Sequence, residues 1–337
     1  MFKQFQLTGI LFITGLMSLI SCGERTGDNY KPDNYNYALD SASSKTVDHL
    51  FFVGKYGGQT SVYKFEFSNS EYKIFWYTPE ETVVKLLYSD DLKNIFFLTV
   101  KKIGISKGVS FVRGIKLYRL NTEFPEVELI SELGDAVQVL TQWVGMNYNI
   151  QLTKFDLKIA SYMIKINQIY SPFGKLLNDY VQTFDFINDK YPQFDIQHTS
   201  LSSPSGNFGI THVNDSIFLK IGTSGQNVYV DSTAETLRNI KWSYDENYVF
   251  FTSGTESSGN ISNPAYSMYV YNVADKKLVK KWNSRSRKNF ILVNDLLIFN
   301  DSFLNQSIIV LYNFLKDEEI GKIKIRGGCG LTGIPIN

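Results

Sequence analysis

The sequence predicts an all-β chain arranged as a six-bladed β-propeller of four-stranded antiparallel blades, with a seven-bladed ring as the alternative. Three observations lead there. Aromatic residues make up 15% of the chain, with 25 Phe and 21 Tyr, mostly in short runs between Gly, Asn, Asp and Ser turns. Bulky aromatic and β-branched side chains suit a pleated strand, and small polar residues suit the turns between. The runs recur in groups of four, at the length of about 40–50 residues expected of a propeller blade. The two ends of the series are complementary: the first group lacks a strand and the last is followed by one too many.

The template unit is 239–281. Ile240–Trp242 is its first strand, Ser243–Asn247 a turn, Tyr248–Thr252 a second strand, Ser267–Val273 a third and Leu278–Trp282 a fourth. A second unit reads Val83–Leu87, turn Ser89–Asn94, Ile95–Thr99, Ile115–Leu120 and Val127–Ser131. A third reads Val137–Trp143, Tyr148–Phe155, Ser161–Ile169 and Val181–Ile187. In that unit the stretch Lys175–Phe184 also fits a helix, with Leu176, Leu177, Tyr180, Val181 and Phe184 on one face. A fourth unit reads Ile196–Leu201, turn Ser203–Asn207, Phe208–His212, Ser216–Ile221 and Asn227–Val230. The last complete unit is Phe290–Val293, Leu296–Asn300, Ser307–Tyr312 and Glu319–Ile325. At the start, His49–Val53, Ser61–Phe67 and Tyr72–Tyr77 supply only a second, third and fourth strand. The tail Leu331–Ile336 is therefore expected to pair beside His49–Val53 and close the ring, which removes open edges.

The turn chemistry carries a family resemblance. The segment 240–251, with Ser243-Tyr244-Asp245-Glu246-Asn247 at its turn, resembles the Ser-Pro-Asp-Gly repeat of TolB-type propellers. Ser203-Pro204-Ser205-Gly206-Asn207 resembles it again, and Ser89-Asp90-Asp91 more distantly. A Ser or Asp side chain bonds the turn backbone, and Gly or Asn accepts a positive φ. The unit Val137–Phe155 departs from the pattern, with Gly145-Met146-Asn147 at the turn. The resemblance implies a fold and no activity, since propellers host many unrelated functions.

The N-terminus points to export. Lys3 precedes the uncharged apolar stretch 7–20, which is shorter than the roughly 20 residues of a membrane span and fits the h-region of a signal peptide. Leu19-Ile20-Ser21-Cys22 then resembles the lipobox of bacterial lipoproteins. That resemblance implies cleavage before Cys22, acyl chains on its sulfur and on its new amine, and attachment to the membrane through that lipid. Each buried methylene contributes about 0.8 kcal/mol, so several chains on one cysteine hold firmly. The expected organisation is a signal peptide over 1–21, a polar tether over 22–46 and the propeller over 47–337.

Net charge is +1, which offers nothing to nucleic acid or to a strongly acidic partner. Two cysteines exclude a disulfide scaffold, and Cys329 reads as packing within Gly327-Gly328-Cys329-Gly330. The three histidines, His49, His198 and His212, lack the spacing of a helical zinc site and read as satisfied wall residues, with His198 on a first strand. Asp185, Asp189 and Asp195, around Asn188 and Tyr191, match no defined calcium loop and read as solvated. The Gly/Ser segments 222–225 and 253–259 read as ordinary turns. Lys276, Lys277, Lys280, Lys281, Arg285, Arg287 and Lys288 form a basic run. It fits an outer strand guarded against edge pairing, or a contact with lipid headgroups or polysaccharide. No nucleophile elbow or phosphate loop occurs.

These readings predict no catalytic residue, no metal and no cofactor, with Cys22 as the one assigned site. The expected function is a non-catalytic binding or scaffolding lipoprotein of the cell envelope, on the outer membrane if the cell is Gram-negative. Its partner would be a protein, peptide or glycan. The alternative is an envelope hydrolase or lyase whose active site gathers at the channel mouth.

Overall fold

The computed structural model describes residues 49–331, apart from 90–91, 107–108, 145–146, 156–161, 186–201, 204, 223–224, 234–236, 244, 255–264, 286–289, 294, 304–305 and 327. The described residues form six antiparallel sheets that follow one another along the chain. The first holds β1 (His49–Tyr56), β2 (Gln59–Glu66) and β3 (Glu71–Trp76). The second holds β4 (Thr82–Tyr88), β5 (Asn94–Val100), β6 (Lys102–Ser106), β7 (Val109–Asn121) and β8 (Val127–Ala136). The third holds β9 (Gln138–Val144), β10 (Asn147–Phe155), β11 (Tyr162–Tyr170) and β12 (Leu176–Asp185). The fourth holds β13 (Phe208–Val213), β14 (Ser216–Ile221) and β15 (Gln226–Ser232). The fifth holds β16 (Leu237–Trp242), β17 (Tyr248–Gly254), β18 (Ala265–Asn272) and β19 (Lys277–Arg285). The sixth holds β20 (Phe290–Val293), β21 (Leu296–Phe303), β22 (Gln306–Asn313) and β23 (Glu318–Arg326). Sequential meanders of this kind make a propeller-type scaffold. Among the described residues no sheet closes on itself.

Buried faces explain the continuous apolar runs. Along β5, Ile95 and Phe97 pack with the first and sixth sheets, while Phe96 and Leu98 pack with the third. Along β17, Val249 and Phe251 pack with the fourth sheet and Phe250 with the sixth. Successive strand residues point to opposite faces, so a strand covered on both sides must be apolar at every position. Ring contacts knit the faces: Phe96 stacks on Tyr148 at 4.6 Å, and Trp76 meets Phe97 edge-on at 5.1 Å. Fully burying a side chain of this size contributes about 1.5–3 kcal/mol.

The turn motif repeats in three sheets. Ser89, Ser203 and Ser243 each donate a backbone N–H to the carbonyl five residues on, at 2.8, 2.8 and 2.9 Å. Each Oγ also accepts the N–H of that same residue, Asn94, Phe208 or Tyr248. The fourth residue of each turn, Leu92, Gly206 and Glu246, has positive φ. The resemblance in the sequence thus corresponds to one shared hydrogen-bond pattern.

Two expectations change. The second sheet carries an extra strand, β6, folded back on a β7 longer than expected. Gly104 permits this hairpin, because a Cβ there would lie 2.6 Å from the Phe111 ring. The stretch Lys175–Phe184 contributes to β12 from Leu176 onward and is not a helix. Leu176, Leu177, Tyr180 and Val181 are exposed, so these four residues offer no buried face to stabilise a helical stripe. The expected first strand of the fourth unit, Ile196–Leu201, lies outside the described residues; next to it, Ser202 bridges Gly209.

The inner edge of β1 is met in two ways. Gly330 bridges Val53, whose N–H donates to the Gly330 carbonyl at 2.8 Å. Leu331 is 2% exposed and joins the core shared by the first, second and sixth sheets. At Phe51 the partner is a side chain: the buried Tyr88 hydroxyl accepts its N–H at 2.6 Å and donates to its carbonyl at 2.8 Å. Of the expected ladder of Leu331–Ile336 along His49–Val53, 332–337 lie outside the described residues, and the described residues hold one bridge, Gly330 to Val53, beside the tyrosine cap.

Candidate functional site

Both described histidines are engaged by the fold. His49 Nε2 lies 2.7 Å from the Thr122 carbonyl, and His212 Nε2 lies 2.6 Å from the Thr233 carbonyl. The third histidine, His198, lies outside the described residues. Among the described residues no group of three His, Cys, Asp or Glu side chains is placed to hold a metal. Cys329 packs against the core beside Leu331, at positive φ, and is not in a disulfide.

Glu81 sits at the entry to β4 and is 4% exposed. Its carboxylate accepts from Thr99 at 2.6 Å and Tyr118 at 3.1 Å, and pairs with Lys116 at 2.6 Å. Burial pushes its pKa up, but the hydrogen bonds from Lys116 and Thr99 outweigh this and hold it below the ordinary glutamate value. Lys116 is raised by the same bond to Glu81. A paired, hydrogen-bonded carboxylate of this kind positions strands and is poorly suited to proton transfer near neutral pH.

The basic run divides. Lys281 pairs with Asp231 of β15 at 2.5 Å and lies over the Tyr269 ring at 5.0 Å. Lys280 reaches toward Asp317, in the turn between β22 and β23, at 3.4 Å. These two lysines tie the fifth sheet to the fourth and the sixth. Arg285 ends β19, and Arg287 and Lys288 lie outside the described residues. Asp185 ends β12, while Asn188, Asp189, Tyr191 and Asp195 lie outside, as does Cys22. Of the two Gly/Ser segments, Gly222 and Gly225 flank a turn at positive φ, and 255–259 lie outside the described residues.

What is left unspent is an edge. β12 pairs with β11 on one side, and among the described residues no strand pairs with its other side. Leu176, Leu177, Tyr180 and Val181 are 44, 51, 56 and 56% exposed. Other outer strands carry charges: Glu71 and Lys73 on β3, Glu128 and Glu132 on β8, Lys277 and Lys280 on β19, Glu318 and Lys322 on β23. β12 (LLNDYVQTFD) carries Asp179 and Asp185 and, like β8 and β15, no Lys or Arg; what sets it apart is its group of exposed apolar side chains.

Local structure holds this edge in place. The turn before β12 closes through the Ser171 N–H to the Lys175 carbonyl at 2.8 Å. Gly174 sits in it at φ +81°, where a Cβ would lie 2.4 Å from Ile130 of β8. Arg119 of β7 donates to the Pro172 carbonyl at 2.8 Å and lies over the Phe173 ring at 5.7 Å. The third sheet also differs in its faces. Tyr148, Ile150 and Leu152 join the core shared with the second sheet, whereas the opposite face presents Asn149, Gln151, Thr153 and Asn167. Gln151 donates to Asn167 at 2.6 Å, and Asn149 Oδ1 is buried with no hydrogen-bond partner.

Sequence reasoning missed this surface because Leu176, Leu177, Tyr180 and Val181 were spaced like a buried helical stripe. The usable signal was the alternative reading of a strand beginning at Val181.

No family model matches the chain, and no curated protein matches it. Similar solved structures include TolB from Acinetobacter baumannii, at 10% identity and TM-score 0.43, over 85% of this chain and 65% of that one. A provisional 6-phosphogluconolactonase from Bacteroides fragilis has 11% identity and TM-score 0.42, over 87% of this chain and 98% of that one. A prolyl endopeptidase has 8% identity and TM-score 0.43, over 96% of this chain and 53% of that one. At these scores the likenesses carry neither an activity nor a ligand to this chain.

Proposed function

We propose that the chain is a lipid-anchored binding module of the bacterial cell envelope, with a six-bladed propeller as its body and no catalytic step of its own. Support for the ring comes from which sheets share a core. The first sheet shares one with the second and the sixth, the second with the third, the fourth with the fifth, and the fifth with the sixth. That order returns from the last sheet to the first, with Gly330 meeting Val53 at the seam, while among the described residues no shared core joins the third sheet to the fourth.

The observation that carries the binding reading is the exposed apolar edge of β12, against a scaffold whose described histidines and buried carboxylate are already engaged. Apolar residues clustered on a surface mark an interaction site more readily than residues scattered singly. Anchoring rests on Cys22 and the apolar stretch before it. An anchor and a recognition edge together describe a protein that holds a protein, peptide or glycan partner near the membrane.

The test has two parts. Metabolic labelling with a fatty-acid analogue should mark the wild type and not Cys22→Ala; equal labelling removes the anchor from the account. Solubilised envelopes should yield a co-purifying partner with the wild type that is lost with Leu177→Lys/Val181→Lys, while Lys276→Ala retains it. Retention by the β12 variant removes the binding edge.

A further inference from the structure

We infer that the end of the scaffold bearing the β7–β8 and β11–β12 turns lies against the membrane, with Phe124 and Phe173 inserted at the lipid headgroups. The inference rests on the anchor at Cys22 proposed above and adds which side of the body faces the lipid.

Phe124 and Phe173 are 77 and 76% exposed, the highest values among the large hydrophobic residues described. Each stands on a turn held by its own hydrogen bonds. Asn121 Oδ1 accepts the N–H groups of Glu123 and Phe124 at 2.9 and 3.1 Å. Ser171 Oγ accepts the Lys175 N–H at 3.1 Å, and the Ser171 carbonyl accepts that of Gly174 at 3.0 Å. Fixed backbone thus presents both rings to the outside, and seating them costs little further ordering. The two turns are neighbours, because Arg119 near the end of β7 donates to the Pro172 carbonyl and lies over the Phe173 ring. Two exposed rings on adjacent turns mark an interaction surface.

The place where the chain enters the body indicates what meets that surface. His49 opens β1, and its Nε2 lies 2.7 Å from the carbonyl of Thr122, two residues before Phe124. Thr122 is tied to the β4–β5 turn by its N–H to the Lys93 carbonyl at 2.9 Å and its hydroxyl to the Leu92 carbonyl at 2.8 Å. Residues 23–48, between Cys22 and the body, therefore join it at the end that carries the two rings. Acyl chains on Cys22 would make any contact of this end with lipid an intramolecular event, so two shallow aromatic contacts suffice to hold the orientation. Charge suits a zwitterionic surface. Among the described residues around the turns, Lys93, Arg119 and Lys175 stand against Glu123, Glu126 and Glu128. Lys93 pairs with Glu123 at 2.9 Å, and Arg119 with Glu128 at 3.5 Å. Seating of this end rests on burial of the rings at the interface and not on attraction to anionic headgroups.

The experiment uses the full chain, purified in detergent and reconstituted into phosphatidylcholine vesicles. In a Cys329→Ser background a nitroxide is attached at Glu126→Cys, beside the rings, or at Lys102→Cys. Lys102 is exposed and follows β5, at the far end of the second sheet from the β4–β5 turn. Collisions with oxygen, which concentrates in lipid, are compared with collisions with an aqueous nickel chelate. The label at 126 should favour oxygen and be shielded from nickel, and the label at 102 should show the reverse. Phe124→Ser/Phe173→Ser should return the label at 126 to the aqueous pattern, while the chain still floats with the vesicles and melts at the wild-type temperature. Equal accessibility at 126 and 102, or shielding at 126 that survives the loss of both rings, overturns the inference. Where the chain still floats, either result leaves the anchor at Cys22 standing; a chain that does not float overturns both.

Discussion

Replacing Tyr88 with Phe isolates the contribution of one hydroxyl to the seam between the first and second sheets. The ring of Tyr88 stays in place and no cavity opens, so the change removes two hydrogen bonds and little else. In the wild type the hydroxyl accepts the Phe51 N–H at 2.6 Å and donates to the Phe51 carbonyl at 2.8 Å. Both Phe51 and its neighbour Phe52 are fully buried, so water has no ready access to those backbone groups. Leaving a buried donor or acceptor unmade costs about 1–3 kcal/mol, which puts the pair at about 2–6 kcal/mol. For a body of this size each kcal/mol lowers the melting temperature by about 2 °C, giving an expected fall of about 4–12 °C for Tyr88→Phe. Burial pushes the Tyr88 phenol far above its ordinary value, against the opposing bond from Phe51, so it keeps its proton and its donor role. The assay is thermal and urea unfolding of the wild type and Tyr88→Phe, followed by circular dichroism. A shift under about 1 °C would refute the reasoning, because it would mean that Phe51 finds other partners.

Two further predictions concern the seam and the buried ion pair. Gly330→Ala should destabilise by about 1–3 kcal/mol, because the new Cβ would lie 2.0 Å from Asn300 Nδ2, and Asn300 Oδ1 accepts the Leu331 N–H at 2.9 Å; calorimetry of the variant against the wild type checks this. Glu81 has a folded pKa below its unfolded value, so its stabilisation is present above the unfolded value and is lost as pH falls through the folded one; urea melts should show Glu81→Gln less stable than wild type at pH 7, with the gap shrinking below about pH 4. A gap that is unchanged or wider in acid would contradict the ionised state assigned to Glu81.

Much of the scaffold was legible because strands buried on both faces leave uninterrupted apolar runs. Phe96–Leu98, Val249–Phe251 and Leu296–Phe299 could be placed from the sequence to within a residue or two. The turns were legible because Ser89, Ser203 and Ser243 each make the same two bonds, one from the backbone N–H and one to the side-chain Oγ. What escaped was long-range. Nothing in residues 82–88 tells that Tyr88 caps the backbone of Phe51, since that depends on the first sheet arriving beside it. β6 escaped because Lys102–Ser106 is short and its partner, the extended start of β7, precedes the expected strand. The candidate site escaped for a different reason: the spacing of Leu176, Leu177, Tyr180 and Val181 is compatible with a helical stripe, and only tertiary context shows those side chains facing solvent.

The central claim, that β12 is the recognition edge of an anchored envelope protein, is tested most directly by placing a photo-activatable amino acid at position 180 in living cells. A matching variant carries it at Leu315, which is 59% exposed in the turn between β22 and β23. Illumination should give a discrete covalent adduct in the membrane fraction from position 180 and none from position 315. Equal yields from the two positions, or no adduct from position 180, would contradict it.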